Sequence, residues 1–480
     1  VSSAAARWLI ALTALAWAAC DRAKGASGQA EPQPAASDAQ APDAPDPYRE
    51  FPLYGLVTGT VATVRKSADP TGIPLGWLRH GETVRLKASQ GKTATCSSGW
   101  YPVHPRGFVC AGEGISVEST APKLDDEARG EANRNAPLPY TYYLVKDAKV
   151  PEFHQVPSRD QQRAAQAYGD AWQALINSNE EKKLKSFVAG TLPNQPTKHA
   201  VIRRFLERGY YVASTGVTVR SQRRFAHTVR GSFVKEQQLT PKTGAQFHGV
   251  ELSAQQGLPI VWAVRSSVPQ RLKALPDGSH KLIDAPGMAP IERLSLVPSW
   301  KKWTRVDGKL MHELSDGSLI LDWYLAVAER IPRPKEVGKD EPWVHVDEGE
   351  QTLVLYQGDE PKYATLVSSG ISDHKTPLGS FRIQRKYVSD TMSDIGADAA
   401  DDRYSIDDVP WTEYFDGSRA LHAAFWHTQF GIQRSHGCVN LAPADAFYVF
   451  QHTWPELPAA WHGVSTQKTG VKGSLVLITE

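Results

Sequence analysis

Hydrophobic and polar positions alternate with a period of two through much of this chain, in short runs closed by Gly, Pro and Asp. That pattern predicts a mainly β, multidomain protein. Early runs are Val57-Thr58-Gly59-Thr60-Val61, Thr83-Val84-Arg85-Leu86 and Trp100-Tyr101-Pro102-Val103. Late runs are Trp343-Val344-His345-Val346-Asp347, Thr352-Leu353-Val354-Leu355-Tyr356 and Ala364-Thr365-Leu366-Val367; the short links with Gly349 and Gly358 predict antiparallel hairpins. One helix interrupts the pattern. Ser158 and Gln161 have capping-box spacing, and Ala164, Tyr168, Ala171, Trp172 and Leu175 follow on one face, which reads as core packing. From 271 to 337 there are β-prone runs such as Ser318-Leu319-Ile320-Leu321 but no nameable chemistry, and Ile331-Pro332-Arg333-Pro334 reads as a linker.

The first twenty residues follow a different pattern. Arg7 precedes an apolar run over residues 8–17, too short for a stable transmembrane helix but suited to a signal-peptide core. Ala18-Ala19-Cys20 follows and resembles the lipobox of bacterial lipoproteins, which implies cleavage, lipidation of Cys20 and a membrane partner through the lipid. An ordinary cleaved signal or an uncleaved anchor are the alternatives, and all three export the chain to the periplasm or cell-wall side. Residues 21–50, rich in Ala, Pro, Gln and Asp, read as a disordered tether.

At 480 residues the chain exceeds what one core organises. Its formal charge is only +2, with Lys and Arg spread along the chain, so nucleic acid is not an expected partner. Of four cysteines, Cys96 and Cys110 lie close together in an exported, β-prone stretch, and we expect them to form a disulfide rather than two buried thiols. Closing so short a loop adds about 3 kcal/mol in the chain-entropy account. Cys438 is left as a free thiol that needs a role.

Around it stand Leu421-His422-Ala423-Ala424-Phe425-Trp426-His427 and Ser435-His436-Gly437-Cys438-Val439-Asn440. A cysteine attacks an acyl carbon as thiolate, so an imidazole must take its proton or hold it as an ion pair. Gly437 permits a tight turn in which neighbouring N–H groups face a developing oxyanion. Pro443 and Asp445 mark a helix start just downstream. The string Ser435 to Asn440, with His422 upstream, resembles the signature of the L,D-transpeptidase (YkuD-type) catalytic domain. Val367-Ser368-Ser369-Gly370 and Lys375-Thr376-Pro377-Leu378-Gly379-Ser380-Phe381 resemble the strand and turn before the site in that family.

The resemblance covers residues 342–480 and implies a β-rich catalytic domain. In it Cys438 is the nucleophile, His422 the base, the Ala423 carbonyl orients His422, and the N–H groups of Gly437 and Cys438 form the oxyanion hole. His436 and Asn440 support the loop; Ser435, Asn440, Tyr404, Met392 and Trp426 are candidates for the substrate cleft, and His427 reads as structural. Two departures stand out: only twelve residues separate His422 from Ser435, and Ala423 replaces a more usual glycine or serine. The implied reaction is acyl transfer from a peptidoglycan stem tetrapeptide, releasing the terminal D-Ala, to a stem amine, a protein lysine, a D-amino acid or water, with neither metal nor cofactor. The competing reading is a wall-binding structural lipoprotein. Residues 51–120, ending in Arg106-Gly107-Phe108-Val109, resemble a bacterial SH3-like barrel. A similar phrase, Thr228-Val229-Arg230-Gly231-Ser232-Phe233-Val234, suggests a second copy over roughly 209–264 within a mixed α+β middle region, 140–337.

Overall fold

The computed structural model describes residues 46–123, 131–297, 300–393 and 404–480; the signal run, Cys20 and nearly all of the tether lie outside them. Among the described residues no helix is long and apolar enough to cross a membrane.

The N-terminal module contains β1 (Leu53–Val57), β2 (Val61–Arg65), β3 (Pro74–Arg79), β4 (Thr83–Leu86), β5 (Trp100–Pro102), β6 (Phe108–Cys110) and β7 (Ile115–Glu118). β1 pairs antiparallel with β4 and β7, and β2 with β3 and β6. The run predicted from Val57 to Val61 is two strands broken at Thr58-Gly59-Thr60. A Cβ on Gly59 would come within 2.9 Å of the Gly114 backbone, so the chain turns where the two glycines touch. Cys96 and Cys110 form the expected disulfide, packed beside Trp100. The core of Val64, Leu78, Val84 and Leu86 is completed by Trp461, a residue of the C-terminal domain, whose indole N–H donates to the His104 carbonyl at 3.1 Å.

The middle module contains β8 (Thr141–Val145), β9 (Val150–Phe153), α1 (Arg159–Asn177), α2 (Glu181–Val188), β10 (Ile202–Leu206), β11 (Tyr211–Arg220), β12 (Arg223–Thr228), β13 (Phe233–Lys235) and β14 (Leu239–Lys242). The capping box at Ser158 and Gln161 is formed on both sides. The buried face of α1 is rotated from the expected one: Ala165, Tyr168 and Gly169 are buried and Ala164 is exposed, because the helix packs on β9 with Gly169 against the Lys149 carbonyl. The repeated phrase around Arg230 lies in the turn from β12 to β13, and a 3-10 turn, Glu236–Gln238, leads into β14. β14 pairs back to β8, and beyond it the chain leaves this sheet. β15 (Val250–Glu251) joins the C-terminal domain.

A third module holds β16 (Ile260–Ala263), β17 (Gln270–Ala274), β18 (His280–Asp284), β19 (Trp300–Val306), β20 (Lys309–Leu314), β21 (Leu319–Leu321) and β22 (Leu325–Ala328). It repeats the strand, 3-10 turn, strand order through Asp322–Tyr324, a recurrence that the sequence reading missed. β16 pairs with β22, so the segment expected to close a second copy at 264 belongs here.

The C-terminal domain is two packed sheets and a helix. β23 (Pro342–Asp347), β24 (Thr352–Gln357) and β25 (Glu360–Leu366) form the predicted hairpins, and β26 (Gly379–Arg382) and β32 (Leu475–Thr479) complete that sheet, with β23 and β32 parallel. The second sheet contains β27 (Arg385–Ser393), β28 (Ser405–Asp416), β29 (Arg419–Ala423), β30 (Val439–Leu441) and β31 (Gly463–Ser465). Val344, Leu353 and Leu355 of the first sheet meet Phe415, Leu421 and Val439 of the second, with Val449 and Phe450 of α3 (Pro443–His452). The first sheet's other face, with Trp343 and Tyr356, is covered by Ile260, Trp262 and Ala326 of the third module. Both faces of β23 and β24 are therefore buried despite their alternation, and His345 satisfies its buried ring by pairing with the Thr479 hydroxyl at 2.8 Å. The Pro-rich segment after β22 is irregular but tied down, with Arg333 paired to Asp359 at 3.0 Å and the Ile331 N–H donating to Tyr356 Oη at 3.2 Å.

Candidate active site

Strands β29 and β30 run parallel with Leu421 opposite Val439, His422 opposite Asn440 and Ala423 opposite Leu441. This register joins the two sequence motifs. Cys438 immediately precedes β30, so its thiol lies at the start of β29, with Sγ 3.8 Å from the Ser418 carbonyl. It is half-buried and is the free cysteine of the described chain. Gly437 has φ 105°, a left-handed conformation that a side chain disfavours, and an added Cβ would sit 3.3 Å from Arg419 Nε.

His422 is buried, and its Nδ1–H donates to the Ala423 carbonyl at 3.2 Å, the orienting contact expected from the sequence. In the neutral ring Nε2 is then the acceptor. Burial drives the His422 pKa down to about 4, and burial also raises that of the Cys438 thiol. Each shift disfavours charge. Two neutral groups fit proton transfer during attack better than a standing ion pair, of the two ways an imidazole can serve a thiol.

The turn before Cys438 is laced to the segment after β25. Ser368 and Asn440 exchange backbone hydrogen bonds at 3.0 Å, the Ser435 N–H donates to Ser369 O at 2.9 Å, and the Ile371 N–H donates to Ser435 O at 3.0 Å. The Thr376 hydroxyl accepts from the Gly370 N–H at 2.9 Å and donates to the Gly437 carbonyl at 3.2 Å. A Cβ on Gly370 would fall 2.0 Å from the His374 carbonyl, so only glycine permits this approach. Spacing alone does not reveal the position of Thr376 between two glycine backbones.

Ser435 and Asn440, expected at the substrate cleft, are buried behind the turn. The Ser435 hydroxyl accepts from the Gly437 N–H at 3.1 Å and donates to the Cys438 carbonyl. That contact occupies the Gly437 N–H expected in the oxyanion hole. Asn440 pairs through its side-chain amide with His427 Nε2 at 2.9 Å, and His427 Nδ1 accepts from the Gln429 N–H at 3.1 Å; His427 is a satisfied structural histidine, as expected. The other cleft candidates do converge. Trp426 stacks 5.7 Å from the His422 ring, exposed His436 lies 4.7 Å from His374 and 5.9 Å from Tyr404, and Met392 packs in the cluster that holds Tyr404 and Trp426. Pro443 and Asp445 do stand in the first turn of α3, as the helix-start signal predicts, and Asp445 is also a buried carboxylate. It accepts from Tyr363 Oη and the Gly249 N–H, each at 2.7 Å, and from Thr365, while burial pushes its pKa up to about 6. Among the described residues no group of three or more His, Cys, Asp or Glu side chains could hold a metal ion.

No curated protein matches the chain. Among solved structures, an L,D-transpeptidase from Stackebrandtia nassauensis is 20% identical with TM-score 0.21, over 30% of this chain and 58% of that one. One from Mycobacterium tuberculosis H37Rv is 15% identical with TM-score 0.22, over 46% and 80%. The catalytic domain of the E. faecium L,D-transpeptidase is 21% identical with TM-score 0.23, over 29% and 98%. This chain thus spans under two thirds of the Stackebrandtia protein. The sequence model of the YkuD family, the L,D-transpeptidase catalytic domain, matches residues 341–460, a quarter of the chain and the part that carries both motifs. Residues 341–460 are therefore an L,D-transpeptidase catalytic domain of the YkuD type, set within a much longer chain.

Proposed function

We propose that the protein is an exported peptidoglycan L,D-transpeptidase in which Cys438 is the nucleophile and His422 its base. The observation that carries this reading is the commitment of His422 Nδ1–H to the Ala423 carbonyl, which leaves Nε2 as an unprotonated acceptor on the strand beside the free thiol. As Cys438 Sγ bonds the carbonyl carbon of the third residue of a stem tetrapeptide, its proton passes to His422 Nε2 and the carbonyl oxygen takes the negative charge. The Cys438 N–H is the donor assigned to that oxyanion, since the Gly437 N–H is held by Ser435. Collapse breaks the C–N bond, His422 returns its proton to the departing D-Ala amine, and a thioester remains. A second amine then attacks, gives a proton to His422 and expels the thiol. In this reading the acceptor is a stem-peptide amine and the chain is anchored by a lipid on Cys20.

Incubating the exported part of the chain with a stem tetrapeptide and following masses is the direct test. Loss of D-Ala with a dimeric product supports the reading, whereas an unchanged tetrapeptide overturns it. The neutral resting pair predicts that iodoacetamide labelling of Cys438 still climbs above pH 8; a plateau already reached below pH 7 would establish an ion pair instead. Growth with labelled fatty acid should tag the wild type and not Cys20→Ala.

A further inference from the structure

The hairpin of β27 and β28 walls the cleft, because Met392 near the end of β27 and Tyr404 just before β28 pack with Trp426 beside His436. Three residues past Tyr404 come two consecutive carboxylates, Asp407 and Asp408, only 3% and 2% exposed. Adjacent buried anions require countercharges, and those come from the other modules. Arg79, at the end of β3 in the N-terminal module, forms an ion pair with Asp408 and also donates to the Ser389 hydroxyl at 3.1 Å, which itself donates to Asp408 at 3.0 Å. Arg204 of β10 and Arg230 in the turn from β12 to β13 reach Asp407 at 3.2 and 3.3 Å. Arg230 also donates to the Thr391 hydroxyl at 2.6 Å, on the residue next to Met392, and Tyr142 Oη donates to the Asp408 carbonyl at 2.7 Å. The same strand holds two non-glycine residues in left-handed backbone, Asp408 at φ 56° and Trp411 at φ 53°. Such geometry persists only where its surroundings over-determine it.

We infer that Asp407 and Asp408 form a joint through which the N-terminal and middle modules hold this hairpin, and that Arg79, Arg204 and Arg230 are positioning residues for the donor-peptide cleft. The inference rests on the reading of Cys438 as nucleophile. The accessory modules then act on substrate binding through the end of the hairpin that carries Tyr404 and Met392, while β29 with His422 pairs with β28 only at its other end, from Glu413 to Asp416, and the Cys438 turn is held by Ser368, Ser369 and Thr376.

The test uses the full chain, measuring KM and kcat for D-Ala release from a stem tetrapeptide and, separately, iodoacetamide labelling of Cys438. Arg230→Ala should raise KM about tenfold with kcat and labelling within about twofold, as expected when a wall shifts without disturbing the reacting groups. Arg230→Lys should recover part of that loss. Thr391→Val removes one acceptor with little change of shape and should raise KM about threefold, so it decides the matter if Arg230→Ala does not fold. The neutral double variant Arg79→Met with Asp408→Asn should also raise KM. Arg271→Ala, which breaks an exposed ion pair with Asp316 in the third module, serves as the unaffected control. Unchanged KM in folded Arg230→Ala and Thr391→Val overturns the inference. Failure of the nucleophile reading looks different, since D-Ala release would then survive Cys438→Ser in an otherwise wild-type chain.

Discussion

The Cys438 turn and the hairpin of β27 and β28 are held by opposite means. Residues 435–440 are fixed from within the domain by neutral hydrogen bonds to Ser368, Ser369, Ile371 and Thr376, all on one preceding segment. The hairpin at Asp407 and Asp408 is fixed by guanidinium groups of other modules. A short neutral network keeps donors and acceptors in register at little desolvation cost, which suits groups that must stay aligned through a reaction. Buried charge pairs are strongly destabilising when one partner is lost, which suits a contact that must couple distant parts of a chain. The Cys438 turn is thus held locally and the Asp407–Asp408 end of the hairpin is not.

Four experiments break or sharpen that contrast. Cys438→Ser should lower D-Ala release by at least about 10³-fold while the fold persists, because a hydroxyl is a far weaker nucleophile beside a neutral imidazole. Thr376→Val strips one acceptor from the Gly370 N–H and one donor from the Gly437 carbonyl. Leaving buried groups unpaired costs about 1–3 kcal/mol, so kcat should fall about tenfold with KM little changed, the inverse of the pattern expected for the hairpin.

Acid titration gives a smaller effect with a defined sign. His422 and His427 both have pKa values lowered to about 4, so the stability they confer is full above pH 6.5 and is lost as pH falls from there toward 4. Each contributes on the order of 3 kcal/mol over that window. Asp445, raised to about 6, acts the other way, favouring the fold as pH falls through 6 toward 3.8, so the melting temperature should drop by less than two histidines alone predict. A melting temperature that rises from pH 6.5 to 4.5 would show that these rings are charged in the folded protein. Replacing Cys96 and Cys110 by Ala should cost about 3 kcal/mol of stability, read from denaturant unfolding, and leave kcat within about twofold, since neither cysteine touches the Cys438 turn.

The parts legible in the sequence are those whose partners lie close by in the chain. Ser158 and Gln161 announced their helix because a capping box is a four-residue device. The strands from Pro342 to Leu366 showed their hairpins through period and turns, and the strings around His422 and Cys438 carried the family resemblance entire. The roles of Asp407 and Asp408 were not legible, because nothing near them in sequence reveals Arg79 or Arg230. The alternation in β23 shows the strand but not that Trp262 and Ala326 of the third module cover its second face. Ser435 and Asn440 were placed at the cleft because a motif shows which residues travel together but not which way each points.

Trp461 gives the molecule an order of events. The strands of the N-terminal module are synthesised well before the indole that fills their core, which lies 357 positions after His104, whose carbonyl it caps. Nascent domains commonly close in the order they are made. Here Val64, Leu78 and Leu86 lack their largest neighbour until residue 461 has been made. Chains interrupted before residue 461 should be recognised by proteases at their leading end, far from the break.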